Sequence, residues 1–275
     1  MRILIVGGSG YLGSQLVHCA TMGGHQVACT YLSRPPRAPE AEALHLDIRN
    51  QRRTKDVVDR LQPELVINAA FQQGDWVSTA VGPANLAEVL ADHRIRLVHV
   101  SSDAVFSGSA IRYDETAQPD PITPYGAAKA AAETAVAEIH PSALVVRTSL
   151  IIGHGGSSHE RMVHDLATGQ QSGTLFTDDV RCPVHVDDLA AALLELGTSH
   201  RSGIHHAAGA QAISRHELGT LIARRDGLSP AALPAGRRAE ANIPGPLDVR
   251  LDSTHTQQFL RTRLRGATEF LDPQD

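Results

Sequence analysis

The chain has 275 residues, enough for one large domain or for a nucleotide-binding core with a smaller cap. Hydrophobic residues make up 42% and charged residues 20%, a globular profile, and a formal net charge of −5 leaves no basic footprint for nucleic acid. Apolar runs are strand-length, so no membrane segment is expected. The N-terminus, Met1-Arg2-Ile3-Leu4-Ile5-Val6-Gly7, is a short strand entering a glycine loop and not a secretion leader, so a cytoplasmic location is expected.

In chain order, Ile3–Val6 is the first strand. A helix follows from Gly10, with Leu12, Leu16 and Cys19/Ala20 on one stripe and a stop at Gly23-Gly24. Further strands are expected at Gln26–Tyr31, Ala43–Leu46, Leu65–Asn68, Arg96–Val100 and Ala143–Arg147, with helices at Pro83–His93 and Tyr125–Ile139. The strands are continuous Val/Ile/Leu runs, as a parallel sheet buried on both faces requires. Beyond Arg147 come a glycine-rich loop (Gly153–Ser158), helices at Asp187–Leu196 and Arg215–Arg224, a strand at Gly203–Ala207 and an amphipathic segment from Ser253. The fold class expected is α/β, a doubly wound parallel sheet of the Rossmann type with a small α/β C-terminal cap. Residues 1–149 plus about 181–209 form the dinucleotide-binding domain, and about 150–180 plus 210–275 the substrate-binding cap.

Cys19, Cys29 and Cys182 are widely spaced and have no Cys-x-x-Cys pairing, so reduced, buried thiols are expected. No pair among the fifteen histidines has a zinc spacing with a flanking acid, and no metal site is expected. His205 and His206 are adjacent and point to opposite faces of their strand.

The segment Gly7-Gly8-Ser9-Gly10-Tyr11-Leu12-Gly13 follows a strand and opens a helix. Gly7 permits the tight turn, Gly10 lets backbone approach a pyrophosphate, and Gly13 lets the helix pack close to the sheet. The helix start then offers free N–H groups to the anion. An NAD site places a carboxylate at the end of the second strand. Here Thr30-Tyr31-Leu32-Ser33-Arg34-Pro35-Pro36-Arg37 has none, but it offers Ser33 and Arg34, with Arg37 less well placed. A guanidinium pairs with a 2′-phosphate, so NADPH (NADP+) is the expected cofactor.

Tyr125 and Lys129 lie one turn apart on a run with strong helix propensity, started by Thr123-Pro124. A neighbouring ammonium is expected to lower the phenol pKa from about 10 and fit it for proton transfer to a ketone.

The Gly-x-x-Gly-x-x-Gly spacing resembles the extended short-chain dehydrogenase/reductase superfamily. So do Val66-Ile67-Asn68-Ala69-Ala70, Val145-Val146-Arg147-Thr148 and Pro183-Val184-His185-Val186-Asp187-Asp188-Leu189-Ala190. The resemblance covers most of the chain. It implies cofactor contacts from Gly7, Gly10, Tyr11, Leu12, Gly13, Ala69 and Ala70, and adenine contacts at Asp47 with Ile48 beside it. It also implies that Lys129 holds the nicotinamide ribose and that Ser102, rather than Ser101, completes the catalytic set.

Ser101-Ser102-Asp103-Ala104-Val105-Phe106-Ser107-Gly108 lacks the Asp-Glu pair of nucleotide-sugar dehydratases and looks most like dTDP-4-dehydrorhamnose reductases. The substrate so implied is a small-molecule ketone, a 4-keto-6-deoxy nucleotide sugar. Two features depart from the family: Ala128 stands before the lysine in place of Ser or Thr, and Thr79 stands in place of a relay Asn. An epimerase that keeps its cofactor, and a non-catalytic NADP-binding regulatory subunit, are the rival readings. Arg161, Arg181 and His185 are the candidate cap contacts, and the choice between monomer and homodimer stays open.

Overall fold

The computed structural model describes residues 1–37, 39–241 and 243–272. Seven strands form one parallel sheet: β1 (Arg2–Val6), β2 (Gln26–Tyr31), β3 (Glu42–His45), β4 (Leu65–Asn68), β5 (Arg96–Ser102), β6 (Leu144–Thr148) and β7 (Gly203–His206). Their order across the sheet is 7-6-5-4-1-2-3, so the direction of winding reverses between β1 and β4. Seven helices of eight or more residues accompany them: α1 (Tyr11–Met22), α2 (Gln51–Leu61), α3 (Gly82–Asp92), α4 (Pro124–Ile139), α5 (Ser158–Ala167), α6 (Val186–Gly197) and α7 (Arg215–Arg225).

Alternation along the strands builds the two faces. Ile3 and Ile5 turn toward α1 and α6, where they meet Leu16, Val17, Leu189 and Leu193. Leu4 and Val6 turn the other way, onto Val57 and Val58 of α2, Leu86 and Leu90 of α3, and Val136 of α4. A third apolar cluster lies apart from the sheet, where Ile152, Val163, Leu166, Leu218 and Ile222 join α5 to α7. Short ladders finish this region: Val180–Arg181 against Ile213–Ser214, and Leu175–Phe176 against Ala235–Gly236.

Two helices go beyond what the pattern suggests. In α2 the sequence is mostly charged and buries only Thr54, Val57 and Val58, too thin a stripe to stand out. It begins where Asn50 caps it, the side chain accepting from Arg53 N at 3.0 Å. In α5, Ser157 and Glu160 form a reciprocal capping box. The segment from Ser253 yields only the short helix Thr254–Gln257. At the start of α3, a single π-helical turn (Val77–Val81) precedes the α-helix.

Helix α4 is fastened to the sheet by charge. Glu133 and Arg147 are 4% and 2% exposed. The Arg147 guanidinium donates to Glu133 through both Nε (3.1 Å) and Nη2 (2.8 Å). Ser101 of β5 donates to the same carboxylate at 2.5 Å. Removing one partner of such a pair strands the other charge, so Glu133→Gln is expected to lower stability by about 3–5 kcal/mol, read by denaturant unfolding. A loss below about 1 kcal/mol would mean the pair is not fully desolvated.

Stability is also expected to fall with acid. Burial holds His206 down at about 4 and His99 well below the ordinary histidine value. The unfolded chain takes up these protons near pH 6.5, before the folded chain can. Stability is therefore fully present above about pH 6.5 and is lost progressively toward pH 4, a trend that thermal melts across this range would register.

Candidate active site

The phosphate loop takes the shape that its glycines permit. Gly7 has φ +85°, and a Cβ there would lie 2.9 Å from the Ala70 backbone. A Cβ on Gly13 would lie 2.0 Å from Gly7 O, so the helix sits directly on the strand end. Gly10 differs: its Cβ would meet only Gly7 O within 4 Å. Helix α1 also has no side-chain cap at Gly10, which leaves its first-turn N–H groups, those of Tyr11, Leu12 and Gly13, to an external acceptor. An open approach at Gly10 and an uncapped helix start fit a dinucleotide pyrophosphate. The cleft beside them is lined by Gly7, Gly10, Tyr31, Asp47, Ala69 and Ala70, with Ile48 alongside.

Of the segment after β2, Tyr31 and Leu32 line the cleft, whereas Ser33 and Arg34 are exposed just beyond them in the chain. Asp47 is engaged by a residue the sequence did not single out. Arg49, two positions on, donates to it from Nε at 2.9 Å and from Nη2 at 2.6 Å, and reaches Asp75 at 3.1 Å. These hydrogen bonds hold the Asp47 carboxyl below its ordinary range. The Tyr11 side chain reaches the loop at Gly153–Gly156. Its phenol accepts from His154 N at 3.1 Å, tying the phosphate loop to the glycine-rich loop of the cap.

Ser102 ends β5, paired with Thr148 of β6, so the hydroxyl stands at the strand's carboxyl end. Ser101, one residue earlier, faces the opposite side and is taken by Glu133. Tyr125 and Lys129 come from the first two turns of α4, which Thr123 caps by accepting from Gly126 N at 3.1 Å. Gly126 is required there, since a Cβ would lie 2.0 Å from Ala104 O. This close approach brings the start of α4 onto the Ser102 loop. Phe71 closes the group from the β4 side, its ring centroid 5.9 Å from that of Tyr125. Its position directly after Ala69-Ala70 was the available clue.

The electrostatics differ from the expectation that Lys129 lowers the tyrosine. Burial dominates both groups. It pushes Tyr125 up to about 12, with the Ser102 hydroxyl opposing and the Asp103 charge adding to the rise. It pulls Lys129 down to about 8, against the attraction of Glu133. The ammonium donates to Val100 O at 2.6 Å and is directed at the sheet.

Thr79 lies outside this group, donating to Gln72 O at 2.8 Å and fixing the loop after β4. Of the cap candidates, Arg161 is exposed and donates to Gly156 O. His185 caps α6, accepting from Asp187 N at 3.3 Å. Arg181 is buried and faces Asp103. Among the described residues His154, His185 and Asp187 place ligand-type atoms within 4.8 Å of one another. The Asp187 carboxylate is hydrogen-bonded to His154 Nε2 at 3.1 Å and lies 3.6 Å from His185 Nδ1.

The family model described as RmlD substrate binding domain matches residues 1–271. The chain belongs to the RmlD substrate binding domain family. A dTDP-4-dehydrorhamnose reductase of Mycolicibacterium smegmatis is 32% identical, over 98% of this chain and 84% of that protein. A dTDP-4-keto-6-deoxy-D-glucose reductase of Streptomyces niveus is 30% identical, over 83% of this chain and 80% of that protein. Among solved structures, a hypothetical dTDP-4-dehydrorhamnose reductase from Sulfolobus tokodaii superimposes with a TM-score of 0.83 at 28% identity, over 96% of this chain and 97% of that one. The doubly wound sheet expected from the sequence is thus the RmlD-family fold.

Proposed function

We propose that this RmlD-family chain is a cytoplasmic NADPH-dependent reductase of a ketone carried on a nucleotide sugar, of the 4-keto-6-deoxyhexose class. The observation that carries it is the meeting of the Tyr125 phenol and the Ser102 hydroxyl at the carboxyl end of β5, beside an uncapped helix start built for a pyrophosphate. The names of the relatives, reductases of dTDP-linked keto sugars, support the substrate class.

Bound NADPH supplies the hydride. The first-turn amides of α1 hold its pyrophosphate, and Ser33 and Arg34 take its 2′-phosphate. Lys129 takes the nicotinamide ribose. Ser102 orients the ketone oxygen, and Tyr125 delivers its proton to that oxygen as negative charge builds there. With its pKa near 12, the phenol is the protonated partner at ordinary pH, which suits a reduction. Phe71 lines this end of the cleft beside Tyr125.

NADPH oxidation in the presence of a dTDP-4-keto-6-deoxyhexose tests the proposal. Wild type turns over, and Tyr125→Phe loses at least about a hundredfold in kcat with NADPH affinity retained. Tight NADPH binding without turnover of any keto sugar overturns the reductase and favours a regulatory, non-catalytic role.

A second expectation concerns Lys129. Its ammonium is charged below about pH 8 and neutral above it. NADPH affinity should be flat below that value and weaken above it, while Lys129→Met shows no such step. Fluorescence titration of NADPH at a series of pH values distinguishes the two curves.

A further inference from the structure

The reaction as written leaves one charged group at the site unused. Asp103 directly follows Ser102 and is 6% exposed. Its Oδ1 accepts from the Ser102 hydroxyl at 3.3 Å. Its Oδ2 accepts from Ser149 Oγ, just beyond β6, at 2.6 Å and lies 3.7 Å from Arg181 Nε. Arg181 arrives from the cap side and is itself fixed. It donates to Val180 O and Pro246 O, both at 2.7 Å, and pairs with Asp179 at 2.9 Å. A guanidinium with so many ties cannot swing away from Asp103 without breaking them.

We propose that Asp103 is a positioning residue for the Ser102–Tyr125 pair, and that Arg181 is the counter-charge that lets its carboxylate stay buried there. Ser102 has one proton. Before the ketone binds it is directed at Asp103, which leaves the hydroxyl oxygen as an acceptor toward Tyr125, so the phenol keeps its own proton; the bound ketone oxygen then accepts from Ser102 in place of Asp103. The carboxylate charge works in the same direction, because a neighbouring anion disfavours phenolate. The groups that face Asp103 are Ser102 and Tyr125, Ser149, Arg181 with its neighbour Cys182, and Arg215 of α7. Arg181 offsets the cost of keeping a carboxylate buried next to the tyrosine. The retained acid of a motif whose second acid is Ala104 thus has a use in reduction: it keeps the proton donor loaded.

This use rests on the proposed reductase chemistry, but the ionisation of Tyr125 is measurable without turnover. The probe is the ring-carbon NMR signal of 13C-tyrosine in the whole protein across alkaline pH, assigned with Tyr125→Phe. In wild type the Tyr125 signal should keep its phenol position to about pH 11. In Asp103→Asn it should begin to titrate at least about one pH unit earlier, and Asp103→Glu should restore the wild-type behaviour. Arg181→Gln should titrate no earlier than wild type, because Asp103 then lacks its counter-charge. A role in folding alone would move both variants in the same direction.

Unchanged titration in a folded Asp103→Asn overturns the proposal. An earlier titration in Arg181→Gln overturns it too, whether or not Asp103→Asn folds. If no keto sugar is turned over, the reductase reading fails while the titration still decides the role of Asp103.

Discussion

Glu133 and Arg147 meet behind the Ser102 loop in a space closed to water, and the placement of α4 depends on them. Arg147 belongs to β6, Glu133 to α4, and Ser101, which adds a third bond, to β5. The guanidinium also lies 4.9 Å above the Phe106 ring and donates to Ala117 O at 3.1 Å. Apolar packing holds a helix on a sheet without fixing its register closely. A forked, buried ion pair is directional, and it sets how far α4 slides along β5 and β6. That register decides whether Tyr125 reaches Ser102, and Gly126, seated against Ala104 O, makes the close approach possible.

Burial then sets the chemistry of the groups so placed. A lysine four residues from a tyrosine suggests a charge that lowers the phenol. The fold instead withdraws both from water, and desolvation is the leading influence on each. The tyrosine holds its proton more tightly and the lysine more loosely than in solution. For a general acid that gives up its proton only to a developing alkoxide, this is a coherent arrangement. The Asp103 charge acts in the same sense.

The cap meets the site through polar contacts. Arg181 crosses to Asp103, and the His154 backbone donates to the phenol of Tyr11 in the phosphate loop. Both cofactor loop and catalytic loop thereby touch the cap, while its apolar cluster, centred on α5 and α7, remains separate from those of the sheet.

The sequence by itself determined the parallel sheet, the phosphate loop and the Tyr125–Lys129 pair, because each is a local pattern. Continuous Val/Ile/Leu runs, three glycines at fixed offsets and a one-turn spacing are legible within a dozen residues. Helix α2 was hidden because its apolar stripe is thin and its cap is a single Asn50. The resemblance favoured Ser102 over Ser101, but where each serine faces, what holds Asp47, and what Arg181 touches were decided by tertiary structure. Ser101 and Ser102 differ only in the side of the strand they occupy, and that acquires meaning once Glu133 stands on one side and Tyr125 on the other. Arg181 and Asp103 are 78 positions apart and are brought together only by the tertiary fold. Ionisation belongs to the same class, since a pKa depends on how much water the finished fold leaves around the group.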